Sequence, residues 1–97
     1  MSTVTIITPT YNRADFLPKL YDSLLRQTNP DFDWLVVDDG SDDGTSGLIR
    51  QYMQEKRIRI SYEKQQNAGK HTALNRGIAM TESELTFIVD SDDYLPE

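Results

Sequence analysis

The sequence predicts an α/β fold, a three-layer sandwich on a mostly parallel four-stranded sheet, and three observations predict it. Four short hydrophobic runs, 4–7, 34–37, 58–62 and 85–89, recur about every 27 residues, the span of a strand, a helix and two turns. Each gap between them carries apolar residues at helical spacing. Composition is that of a packed domain, with 37% hydrophobic and 27% charged residues over 97 positions. Alternating strands and helices joined by right-handed crossovers give parallel strands with helices on both faces.

Taken in order, the first run is Val4-Thr5-Ile6-Ile7. A helix follows, with Phe16, Leu17, Leu20, Tyr21, Leu24 and Leu25 on one face and Pro18 in its first turn, where no amide donor is missed. The second run, Trp34-Leu35-Val36-Val37, is continuous, which suits a central strand covered on both faces. Thr45 or Ser46 is placed to cap a second helix carrying Leu48, Ile49, Tyr52 and Met53. The third run, Ile58-Arg59-Ile60-Ser61-Tyr62, alternates and includes an arginine, so it belongs near an edge. A third helix over Lys70–Met80 presents Ala73, Leu74, Gly77 and Ile78. The fourth run, Leu85-Thr86-Phe87-Ile88-Val89, again reads as a central strand.

Charge limits the partners. Ten Lys and Arg against sixteen Asp and Glu leave a formal net charge of −6, which repels nucleic acid and anionic lipid. An anionic ligand such as a diphosphate is repelled as well, unless a cation stands between it and the carboxylates. There is no cysteine, so disulfides and thiolate metal sites are excluded. The apolar runs are too short to span a membrane, and a cytoplasmic protein is the expectation.

The polar residues gather after the runs, where parallel sheets bind their ligands. The first run leads into Thr8-Pro9-Thr10-Tyr11-Asn12-Arg13, and the second into Asp38-Asp39-Gly40-Ser41-Asp42-Asp43-Gly44. The third leads to Gln65-Gln66-Asn67-Ala68-Gly69-Lys70-His71, and the fourth ends at Asp90-Ser91-Asp92-Asp93. For Asp42-Asp43-Gly44-Thr45 the turn-and-cap reading is preferred. Asp38 and Asp39 are harder to explain so, because two adjacent carboxylates repel and a turn needs one. A carboxylate there can accept the imide N–H of uracil or a ribose hydroxyl. Asp90 and Asp92 project to the same side of an extended segment, and hard oxygen donors with open positions suit Mg²⁺ or Mn²⁺. Arg13, Lys70 and His71 supply cations near this rim, and Tyr11 offers a ring to stack on a flat base.

The segments Thr8-Pro9-Thr10-Tyr11-Asn12-Arg13, Val36-Val37-Asp38-Asp39-Gly40-Ser41, Asn67-Ala68-Gly69 with Ala73-Leu74-Asn75-Arg76-Gly77, and Val89-Asp90-Ser91-Asp92-Asp93 together resemble the family 2 glycosyltransferases. That resemblance implies the GT-A fold, in which a Rossmann-like nucleotide-binding half precedes an acceptor-binding half. It implies that Thr8, Pro9 and Tyr11 form the loop lining the base, and that the carboxylate of Asp39 hydrogen-bonds the base. Lys70 falls where a basic residue approaches the diphosphate. Asp90 and Asp92 match the family's Asp-x-Asp motif, Asp90 nearer the ribose and Asp92 on the metal, with Asp93 as an alternative ligand. Arg13 and Asp38 complete the expected nucleotide site.

The implied reaction is an inverting transfer from a nucleotide-diphospho-sugar, with a UDP-sugar favoured, to a saccharide or lipid-linked hydroxyl acceptor. The implied base lies in the acceptor half, beyond Glu97. Residues 1–97 are therefore expected to be the nucleotide-sugar-binding part of a larger transferase, itself inactive, whose parent works at the cytoplasmic membrane face. A stand-alone nucleotide-binding module is the alternative reading. A phosphoacceptor signalling domain fits less well, because its acidic pair belongs after the first strand, where Thr8-Pro9 stands.

Overall fold

A computed structural model describes residues 4–12, 14–26, 32–67, 69–80 and 85–89, apart from the side chains of Lys70, His71, Leu74 and Leu85. The elements alternate as β1 (Val4–Thr10), α1 (Leu17–Leu25), β2 (Asp33–Asp38), α2 (Thr45–Glu55), β3 (Arg59–Lys64), α3 (Lys70–Met80) and β4 (Leu85–Ile88). All described strand pairs are parallel, and the sheet order is β3-β2-β1-β4. The first three strands are laid down side by side. The chain then returns over α3 to the far side of β1, so the strand order reverses between β1 and β4.

Two apolar layers flank the sheet. On one face Leu17, Leu20, Tyr21 and Leu24 of α1 and Ile49 and Tyr52 of α2 pack with Ile6, Trp34, Val36 and Val89. Tyr21 stacks on Tyr52 with ring centroids 3.7 Å apart, and its hydroxyl donates to Glu55 Oε1 at 2.8 Å. Burial, more than the Glu55 carboxylate, pushes the Tyr21 phenol up to about 12. On the other face Ala73 of α3 packs with Ile7, Leu35 and Val37. Gly77 lets α3 come this close: a Cβ there would lie 2.8 Å from Ile7 Cγ2 and 3.3 Å from Val37 Cγ2.

Several sequence readings are modified. Pro18 does sit in the first turn of α1, and β3 is an edge strand whose Arg59 reaches Asp33 at 2.7 Å. The fourth run, expected at the centre, is outermost among the described strands, and Phe87 and Ile88 stay about half exposed. The reason is reach: α3 packs on β1 and β2, and α1 and α2 lie over the three earlier strands. Neither Thr45 nor Ser46 caps α2. Gly44 holds the cap position at φ 91°, and Asp43 Oδ1 accepts from the Thr45 hydroxyl at 2.6 Å. Met53 and Ile78, expected on buried helix faces, are exposed.

Candidate functional site

The register brings three strand ends level, with Thr10 opposite Asp38 and Asp38 opposite Lys64. One further bond closes each pair: the Asp39 amide donates to Thr10 O and the Gln65 amide to Asp38 O, both at 2.8 Å. Thr8, Pro9 and Thr10, expected in a loop, are the last residues of β1, because their pairing with Val36, Val37 and Asp38 persists. Thr8 is fully buried, and its hydroxyl accepts the Trp34 indole N–H at 2.9 Å. The Thr10 hydroxyl is also buried and has no hydrogen-bond partner among the described residues.

Pro9 ends the pairing on the other side of β1. The Val89 amide donates to Ile7 O at 3.0 Å. In a parallel ladder the next bond would run from the amide of residue 9 to Val89 O, and proline has no N–H to give. Among the described residues the Val89–Ile7 bond is therefore the last between β1 and β4, at the reversal of strand order. Val89, the residue before Asp90 in the sequence, is buried.

The two carboxylates after β2 face different neighbours. Asp38 is fully buried; its Oδ1 accepts the Ser41 amide at 2.8 Å and its Oδ2 the Tyr62 hydroxyl at 2.5 Å. Burial, with this bond to Asp38, pushes the Tyr62 phenol well above the ordinary tyrosine range. Asp39 points to the α3 side, where Oδ1 accepts from Gln65 Nε2 at 2.8 Å and Oδ2 from the Gly69 amide at 2.9 Å. It thereby holds the strand-to-helix loop that leads into α3. Gly40, at φ 86°, lies beneath that loop, and a Cβ there would approach the Asn67 nitrogen to 3.1 Å.

The loop after β1 is tied to the loop after β2. The Asn12 amide donates to Ser41 Oγ at 2.8 Å, and the Asp42 amide donates back to Asn12 Oδ1 at 3.0 Å. The Ala14 amide donates to Asp43 Oδ2 at 3.0 Å. Burial raises the Asp43 carboxyl, but bonds from the Thr45 hydroxyl and the Ala14 and Thr45 amides outweigh it and hold it below the usual range. Tyr11 stands on this frame with 48% of its surface exposed. The sequence reading assigned no role to Asn12, Ser41, Gln65 or Tyr62. The one signal available was the asparagine itself, a residue that tolerates the left-handed backbone found here at φ 51°.

Among the described residues no three His, Asp or Glu groups converge to hold a metal. The oxygens of Asp38 and Asp39 are turned to protein donors. Asp90, Asp92 and Asp93, the expected metal ligands, lie outside the described residues, as does Arg13. Lys70 opens α3, directly after Gly69, which has φ 100°. No helix among the described residues is long and apolar enough to cross a membrane.

This arrangement has close counterparts. The family model described as Glycosyl transferase family 2 matches residues 5–97. Glycosyltransferase GlyA of Streptococcus pneumoniae is 35% identical over 94 residues, covering 97% of this chain and 13% of that protein. The mannosyltransferase PcManGT of Pyrobaculum calidifontis, solved with GDP-Man and Mn²⁺, superposes with a TM-score of 0.91 at 29% identity, over 98% of this chain and 29% of that one. TarS (1–349) of Staphylococcus aureus, solved with UDP, gives 0.87 at 31% identity, over 97% and 28%. The chain spans between 13% and 36% of the length of the first curated relatives it matches. In sequence and in the architecture of its sheet, the chain belongs to glycosyl transferase family 2.

Proposed function

We propose that these 97 residues are the nucleotide-diphospho-sugar-binding part of a metal-dependent, inverting glycosyltransferase. The observation that carries this reading is the reversal of strand order between β1 and β4, where Pro9 has no amide to give and the sequence after the buried Val89 continues directly into the acidic run. In this reading the exposed Tyr11 ring stacks on the base. Asp39 already accepts from Gln65 and Gly69, but a carboxylate oxygen takes more than one hydrogen bond, so it accepts the base imide as well. Lys70, the first residue of α3, is assigned to the diphosphate together with the amides of that helix terminus. Two further pieces of support are relatives solved with UDP and with GDP-Man.

The donor set of Asp90, Asp92 and Asp93 suits a hard divalent cation, Mg²⁺ or Mn²⁺, and a relative was solved with Mn²⁺. A cation held there offsets the diphosphate charge and stabilises the departing nucleoside diphosphate. It also reconciles an anionic ligand with a chain of net charge −6. The base that deprotonates the acceptor, and the acceptor site, belong to parts of the parent outside this chain, so the chain alone binds donor without transferring sugar. Calorimetric titration with UDP and GDP, with and without Mg²⁺ or Mn²⁺, tests the reading. Metal-dependent binding that disappears in Asp92→Ala is expected. Unchanged affinity and metal dependence in that variant would remove the metal assignment.

A further inference from the structure

We infer that the paired hydrogen bonds between Asn12 and the Ser41–Asp42 loop position Tyr11 for the nucleotide base. The inference rests on the nucleotide-site reading above and names a device within it. Tyr11 is flanked on one side by Thr10, fixed in the β1–β2 ladder, and on the other by Asn12. Asn12 holds a left-handed backbone at φ 51°, a conformation asparagine tolerates better than other residues with a side chain, and one that local hydrogen bonds of its side chain support. The hydrogen bonds are reciprocal: its amide donates to Ser41 Oγ at 2.8 Å, and its Oδ1 accepts the Asp42 amide at 3.0 Å. Ser41 is itself anchored, buried, with its amide on Asp38 Oδ1 at 2.8 Å. Asp38 in turn is held by the Tyr62 hydroxyl from the edge strand. The backbone around Tyr11 is thus fixed from both sides by contacts reaching across three strands, while its ring remains open to solvent. An aromatic ring held ready on a fixed backbone loses little freedom when a ligand stacks on it. Asn12 and Ser41 are therefore positioning residues, acting on the base through Tyr11.

The experiment compares UDP with pyrophosphate, each with Mg²⁺, on the whole chain by calorimetry. Asn12→Gly keeps the left-handed backbone and removes the acceptor; Ser41→Ala removes the other half of the pair. Each is expected to weaken UDP about 5- to 10-fold, the loss of one net hydrogen bond, and to leave pyrophosphate within about 2-fold. Tyr11→Ala is expected to give a similar loss, and the double variant Tyr11→Ala with Asn12→Gly no further loss, because the clasp acts only through the ring. Equal losses for both ligands, unchanged UDP binding in Asn12→Gly, or additive losses in the double variant overturn the inference. A wild-type chain that binds pyrophosphate but not UDP, or neither, removes the nucleotide-site reading itself and the clasp's role with it.

Discussion

Replacing Gly77 by alanine sets two opposed effects against each other, and the structure decides between them. Alanine is favoured over glycine in a helix by about 1 kcal/mol, from helix propensity alone. The added Cβ, however, would lie 2.8 Å from Ile7 Cγ2 and 3.3 Å from Val37 Cγ2. Both residues are fully buried in neighbouring strands, and a Cγ2 methyl on a β-branched residue cannot swing aside as the tip of a long chain can. Either α3 lifts from the sheet or the strand residues leave their rotamers, at a cost of about 3 kcal/mol, the upper end for overpacking. The net expectation is destabilisation by about 2 kcal/mol, or a melting temperature lower by about 8–16 °C. Gly47 is the control: it lies in α2, where an added Cβ would meet nothing within 4 Å, so Gly47→Ala should stabilise by up to about 1 kcal/mol. Thermal unfolding of both variants, followed by far-UV circular dichroism, reads the two signs. If Gly77→Ala is as stable as Gly47→Ala, the close seating of α3 is wrong. The path into α3 from the Asp39–Gly69 bond would then need another explanation.

Three further outcomes follow from the same geometry. Tyr62→Phe takes the donor from Asp38 Oδ2 in a fully buried carboxylate and is expected to lower stability by about 1–3 kcal/mol in urea unfolding; a loss below about 0.5 kcal/mol would show that water replaces the phenol. Thr10→Val exchanges a buried hydroxyl lacking a described partner for a methyl of the same shape, so stability should hold or rise by up to about 1 kcal/mol, and a loss above that would reveal a hidden partner. Tyr21, with its phenol raised to about 12, contributes stability that is intact below the unfolded value of about 10 and lost as pH rises through 12. Ultraviolet titration of native chain should show a delayed phenolate fraction that vanishes in urea, and coincident curves would deny the burial assigned to it.

The sequence by itself determined the alternation of strands and helices, since the spacing of apolar runs is local information. It determined that β3 lies at an edge, through Arg59, and that Pro18 falls in a first helical turn. It also determined which polar segments follow the strands, because alternation alone sends every strand's end to the same rim. Tertiary structure decided the rest. Asp38 and Asp39 are chemically identical neighbours, yet successive residues on a strand point to opposite faces. Both are buried, but one is turned to Tyr62 and the other holds the loop into α3. Continuous apolar runs cannot show whether a helix covers them, so β2 and β4 read alike, although only β4 leaves Phe87 and Ile88 open. Where β1 ends was equally hidden. Thr8, Pro9 and Thr10 are loop-prone as a tripeptide, but pairing with β2 keeps them in the strand, and the amide that Pro9 lacks is on the β4 side. The clasp of Asn12 on Ser41 spans 29 residues, a contact that exists only once the first two strands are paired.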